Sequence, residues 1–111
     1  MLPIEILLYE DERGRCPFGK WFDVLDDHTA RRIRICLDRL ANGNTSNVKN
    51  FGSGVSELKM NFGPGYRVYF GRDGKALILL LTGGTKKRQN EDIARAQACW
   101  ANYRRQKQAE K

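Results

Sequence analysis

Val55-Ser56-Glu57-Leu58-Lys59-Met60-Asn61-Phe62, then Gly63-Pro64-Gly65, then Tyr66-Arg67-Val68-Tyr69-Phe70 is the stretch on which the fold turns. Apolar and polar residues alternate along it with the two-residue period of half-buried strands, and the Gly-Pro-Gly break marks a turn. Asp73-Gly74, a hairpin dipeptide, follows. Lys75 to Thr82 is then apolar at almost every position, as in a strand buried on both faces near the middle of a sheet. The pattern predicts a three-stranded antiparallel meander with strands at Val55–Phe62, Tyr66–Phe70 and Lys75–Thr82.

Working outward toward the N-terminus, Asn44 to Gly54 is a polar, glycine-containing connection, and Asn42-Gly43 is a helix stop. Before it, Ala30, Ile33, Leu37 and Leu40 form an apolar stripe, with Arg31, Arg32, Arg34 and Arg39 on the opposite side. Pro17 can open a shorter helix carrying Phe18, Trp21, Phe22 and Leu25 at helical spacing. Only Asp26-Asp27-His28-Thr29 separates the two, which predicts an αα-hairpin. Ile4 to Tyr9 reads as an N-terminal strand and Glu10 to Arg15 as a loop. Toward the C-terminus, Gly83-Gly84 should break the last meander strand, and Thr85 can cap a helix from Lys86 to about Lys107. Ile93, Ala96, Trp100 and Tyr103 would form its inner face, packed on the sheet, while 104–111 should fray as a basic tail. The expected class is α+β, in one domain spanning 1–111.

An apolar fraction of 41% beside 30% charged residues is that of a chain with a packed core. Twenty Lys and Arg against 13 Asp and Glu give a net charge of +7, which points to a polyanionic partner. Cys16, Cys36 and Cys99 form no C-x-x-C pair and His28 stands alone, so neither a disulfide framework nor a zinc site is expected, nor any other cofactor. A reducing cytoplasm suits such a chain. The opening Met1-Leu2-Pro3-Ile4-Glu5 lacks a basic n-region and a long apolar run, and Ala76 to Leu81 is too short to span a bilayer.

Two constellations can carry chemistry. If Leu58, Met60, Phe62, Tyr66, Val68 and Phe70 face the helices, alternation puts Glu57, Lys59, Arg67 and Tyr69 together on the other, exposed sheet face. That set suits proton transfer and phosphate binding, or else is a solvated face in which Glu57 pairs with Arg67 or Lys59. The second constellation is Gly84, Thr85, Lys86, Lys87, Arg88 and Gln89, where a glycine pair enters a helix N-terminus. Free N–H groups and clustered cations there favour a phosphate. Solvated lysines at a helix start are the plainer account. His28 suits a cap or surface site, Cys36 and Cys99 read as small buried side chains, and Trp100 and Tyr103 are spaced for packing.

The motifs G-x-G-Y-R-V-Y-F at Gly63 to Phe70 and L-L-T-G-G-T-K-K-x-Q-x-x-D-I at Leu80 to Ile93 resemble the RelE/ParE superfamily of toxins, and more closely its HigB-like, phage-derived addiction module killer branch. W-F-D-x-L at Trp21 and G-V-S-E-L at Gly54 extend the resemblance over nearly the whole chain. It implies a RelE-like fold and a bacterial toxin silenced by a helix-turn-helix antitoxin, the complex repressing its operon through operator DNA. It also implies cutting of mRNA in the ribosome, or gyrase inhibition of the ParE kind, or an inactive prophage remnant. By the resemblance, Arg67 matches an arginine of the second meander strand, Lys59 a basic residue of the preceding strand, and Lys86 or Lys87 the cation after the glycines. Glu57 and Gln89 match residues typical of the branch. Where RelE-type toxins carry a tyrosine or histidine for proton transfer, this chain reads Glu91-Asp92-Ile93, which would leave that work to Tyr69, Lys59 or Glu57.

Overall fold

Pro17 stands at the start of α1 (Pro17–Asp23), where its missing N–H leaves no bond unmade, and the Gly19 N–H donates to Cys16 Sγ at 3.4 Å. α2 (Asp27–Ala41) begins on Asp26, whose Oδ1 accepts from the Thr29 N–H at 2.7 Å. It ends at Asn42, followed by Gly43 at a φ of +95° that a side chain would resist. His28 therefore lies in the first turn of α2, exposed to solvent. The structure is a computed structural model and describes residues 4–110. The first three residues of the opening segment, Met1-Leu2-Pro3, and Lys111 at the end of the tail lie outside that range.

The remaining elements are β1 (Glu5–Leu8), β2 (Val48–Asn50), β3 (Val55–Lys59), β4 (Tyr66–Asp73), β5 (Leu77–Thr85), a 3-10 turn (Lys86–Arg88) and α3 (Gln89–Ala109). The strands form one five-stranded sheet in the order β1-β5-β4-β3-β2. β3, β4 and β5 are the antiparallel meander of the sequence pattern, but β1 joins β5 in parallel, so the sheet is mixed. β2 arises within the stretch read as a connection, pairing Val48 with Leu58 and Asn50 with Ser56. β4 runs on to Asp73, and β3 stops at Lys59.

The largest departure is at the glycine pair. Gly83 and Gly84 do not break β5; they lie inside it and are buried. A Cβ on Gly83 would fall within the Trp21 ring, and one on Gly84 would fall on the Asp92 carboxylate, so each glycine is where another group comes down on the strand. Two residues before Gly83 the register slips: Phe70 faces Leu80 and Tyr69 faces Thr82, leaving Leu81 unmatched as a bulge.

Helices cover both faces of the sheet. On one, Phe18, Ile33, Leu37 and Leu40 meet Leu58, Met60, Val68, Phe70, Ile78 and Leu80. α1 lies against β5, where Gly83 offers a seat to Trp21, and shares the core of this face with α2, whose Arg34 lies over the Phe22 ring of α1. On the other, α3 lays Ala96 and Trp100 over Val55, Tyr69, Leu79 and Leu81. Its helix continues to Ala109, through the segment read as a frayed tail, where Lys107 joins Tyr103 in bonding Asp73. Among the described residues no helix is long and apolar enough to cross a membrane.

Candidate functional site

Strand register assembles the site. Lys59 on β3 pairs with Arg67 on β4, which pairs with Gly84 on β5; one step along, Glu57 pairs with Tyr69 and Tyr69 with Thr82. Glu57, Lys59, Arg67 and Tyr69 do share one sheet face, but that face is not open. Glu57, Arg67 and Tyr69 are buried beside α3, and only Lys59 reaches solvent. The expectation of an exposed face fails because α3 has an apolar stripe to bury and the helices of the first face leave only this one.

The buried charges are mutually satisfied in part. Arg67 Nε lies 3.5 Å from Glu57 Oε2, Arg67 Nη1 donates to Gly65 O at 2.8 Å, and Gln89 Nε2, from the first residue of α3, donates to Glu57 Oε2 at 2.9 Å. Lys86 borders the same corner: a Cβ on Gly65 would stand 3.2 Å from Arg67 Nη1 and 3.4 Å from the Lys86 Cβ. Glu57, Arg67 and Gln89 therefore meet at one end of the sheet, and Lys59 and Lys86 lie at the same end. Burial, and then the nearby Glu57 carboxylate, push the Tyr69 hydroxyl well above the ordinary phenol range. The Tyr69 hydroxyl therefore keeps its proton at neutral pH.

Lys86, Lys87 and Arg88 form the exposed 3-10 turn that leads into α3. Arg88 is turned to Glu91, its Nη2 at 2.7 Å from Oε2, and Thr85 makes no side-chain cap bond. The glycines before this turn supply close approach rather than flexibility. On α2, Arg31, Arg32, Arg34 and Arg39 are exposed as read, with Arg32 lying over the Phe62 ring at 3.9 Å and Arg34 over Phe22 at 5.2 Å. Stacking of this kind holds guanidinium groups in place at a surface.

Sequence reasoning missed Asp92 and Trp21 as site residues. Asp92 is buried in the first turn of α3 with its Oδ2 lacking a hydrogen-bond partner. Its spacing from Gly84 carried no signal, because only the three-dimensional seat on that glycine explains it. Among the described residues no group of three or more His, Cys, Asp or Glu is placed to hold a metal ion.

Fold and site together define an α+β protein with a mixed five-stranded sheet, in which a buried Glu–Arg pair is rimmed by exposed lysines. A Haemophilus influenzae strain Rd protein, described as uncharacterized, is 36% identical over 80 residues, which is 71% of this chain and 81% of that protein. The chain belongs to the same family as that protein. No family model and no solved structure matches it.

Proposed function

We propose that the protein is a RelE/ParE-like toxin of the HigB-like branch that cuts messenger RNA at the ribosome, and that it is held in check by an adjacent helix-turn-helix antitoxin. The observation that carries this is the placement of Lys59, Arg67 and Lys86, from three separate elements, at the same end of the sheet as Glu57 and Gln89. Cations gathered at one corner stabilise charge that builds on phosphoryl oxygens. The ribose 2′-oxygen attacks the adjacent phosphorus, the bond to the 5′-oxygen breaks, and a 2′,3′-cyclic phosphate remains; no metal is required. Lys59 and Lys86, both exposed, contact the phosphate, and Arg67 supports them from below. Glu57, or Lys59 in its neutral amine form, takes the 2′-hydroxyl proton, and a lysine ammonium or water returns one to the leaving oxygen. Lys87, Arg88 and Thr85 hold the flanking strand. The charge of +7 suits a ribosomal target, the free cysteines suit a reducing cytoplasm, and the α2 arginines suit an acidic antitoxin surface or ribosomal RNA.

One observation favours a second reading, non-enzymatic inhibition of gyrase in the ParE manner: Glu57, Arg67 and Tyr69 are covered, which removes most acid–base groups from solvent. Expression in bacteria separates the two. Rapid arrest of protein synthesis with cut transcripts, lost by roughly 100-fold in Lys59→Ala or Lys86→Ala, is expected. DNA damage with intact transcripts overturns cleavage in favour of gyrase, normal growth overturns both, and cleavage that needs added magnesium overturns the metal-free step.

A further inference from the structure

A cleft of about 400 Å³ lies between α2 and the end of β3, on the opposite side of the sheet from α3. Its walls carry the cations Arg32 and Arg39 of α2 and Lys59 of β3 and, among the described residues, no carboxylate. None of the three makes an ion pair among the described residues, unlike Arg15, Arg67, Arg88 and Lys107. In the sheet order Lys86 follows β5 and Lys59 ends β3, while Asn47, which lines the cleft, precedes β2. The cleft therefore lies on the β2 side of Lys59, and Lys86 on the β5 side.

Arg32 is the unusual wall. Its guanidinium lies over the half-buried Phe62 ring at 3.9 Å, yet the residue is exposed. A guanidinium is flat, so the ring covers one face and leaves the other to whatever enters the cleft. A side chain already held in this way gives up little freedom when a ligand stacks on it. Asn47 and Asn61 are exposed on the same walls, and each amide offers a donor and an acceptor together. Asn47 is fixed beside Lys59, whose N–H donates to Asn47 O at 3.0 Å. Ile35, 46% exposed, adds apolar surface between the two arginines.

Unpaired cations call for an anion, an open guanidinium face for a flat ring, and neighbouring amides for a group that both donates and accepts. A nucleotide brings all three. Arg32 and Arg39 stand about 10 Å apart along the axis of α2, so they are set for successive phosphates of a chain rather than for one small anion. An acidic helix, about 10–12 Å wide, would lie across a cleft of this size rather than enter it. We propose that the cleft binds single-stranded RNA next to the site of cutting, with one base on the open face of Arg32, the amides of Asn47 and Asn61 on base edges, and phosphates on Arg39 and Lys59. Duplex RNA is excluded, because its bases are stacked on one another. The proposal names the path of the substrate beyond Lys59 and rests on the RNA reading of the protein.

The test is fluorescence anisotropy of the purified protein with a labelled 2′-O-methyl decanucleotide, which lacks the attacking hydroxyl and so reports binding apart from cutting. Arg32→Ala should weaken binding about tenfold, the scale of one stacked base, and Arg32→Lys should recover little of it, because lysine keeps the charge without the flat face. Arg39→Ala should lower the slope of log affinity against log salt by about 0.7, the share of one phosphate contact. Arg104→Ala, which removes the same charge from α3 on the other side of the sheet, should leave affinity nearly unchanged. Amide NMR shifts should centre on Arg32, Asn47, Asn61 and Phe62. Equal losses in Arg32→Ala and Arg104→Ala overturn the proposal, since the RNA would then follow net charge alone. So does full recovery in Arg32→Lys, or a duplex of the same sequence that binds as tightly. Polyglutamate that displaces the RNA and moves the same resonances assigns the cleft to an acidic protein and overturns it too. The replaced side chains are exposed, so the variants should melt as wild type does. For any that does not, the wild-type shift map decides, and shifts lying elsewhere overturn the assignment. The two readings fail separately. RNA cutting that persists with unaltered binding in Arg32→Ala removes the cleft but not the ribonuclease, whereas binding in the cleft without cutting in cells removes the ribonuclease but not the cleft.

Discussion

Arg67 Nε lies 3.5 Å from Glu57 Oε2, and both side chains are 4% exposed. The two are diagonal neighbours, since Lys59 is directly opposite Arg67 and Tyr69 directly opposite Glu57. The pair is therefore internal structure as much as it is chemistry.

Truncating either member strands the other charge in the interior. Glu57→Ala and Arg67→Ala should each lose about 3–5 kcal/mol in urea denaturation, whereas Glu57→Leu combined with Arg67→Met should recover most of that loss. Single losses under about 1 kcal/mol would mean that the charges are solvated. Loss of the proposed toxicity in Arg67→Ala is thus to be read beside a stability measurement. The exposed Lys59 and Lys86 are cleaner probes of the proposed chemistry.

The contact of Trp21 with Gly83 makes the strand intolerant of even one methyl group. Gly83→Ala should lower stability by about 1–3 kcal/mol through overpacking, and Gly71→Ala should do the same against Trp100. Combining Gly83→Ala with Trp21→Leu should cost less than the two single changes added together, because the indole that clashes is gone. Strict additivity in thermal melts would show that the ring does not seat on residue 83.

Asp73 ties the end of β4 to the far end of α3, accepting from Tyr103 Oη at 2.6 Å and from Lys107. The Lys107 ammonium and then the Tyr103 hydroxyl hold its carboxyl below the usual range. A carboxyl depressed by folding stabilises the fold above its unfolded pKa of about 4, and that stability is lost as pH falls through the lower folded value. Tyr103, raised to about 12 by burial and by Asp73, stays a donor throughout. Between about pH 5 and pH 2, wild type should therefore lose more stability than Asp73→Asn, by at most about 1 kcal/mol because both partners are partly exposed. Hydrogen exchange over 103–109 should quicken in the variant, and equal acid sensitivity would count against the tether.

Much of this was legible in the sequence. The α2 stripe of Ala30, Ile33, Leu37 and Leu40 is one-sided and could be read directly, as could the grouping of Glu57, Lys59, Arg67 and Tyr69 on one face. What covers that face could not be read from alternation, which sorts residues into faces without saying what lies on them. A signal was present all the same: Lys75 to Thr82 is apolar on both sides, so the Glu57 side needed a cover, and α3 had the stripe to supply it. The Leu81 bulge was hidden, because in a uniformly apolar strand one extra residue leaves no break in the pattern. β2 escaped because its three residues, Val48-Lys49-Asn50, are mostly polar and sit at an edge.

The parallel pairing of β1 with β5 bears on when the protein can come into being. β1 is synthesised first, yet at the edge of the sheet its neighbour is β5, where Glu5 meets Leu77 and Leu8 meets Leu80. α1 leans on the same late strand. Closing so long a stretch of chain is slow compared with forming the β3–β4–β5 hairpins, which need only neighbouring residues. A nascent chain cut off before Leu77 lacks the strand on which both elements rest, so an interrupted round of synthesis yields no half-built copy of the fold.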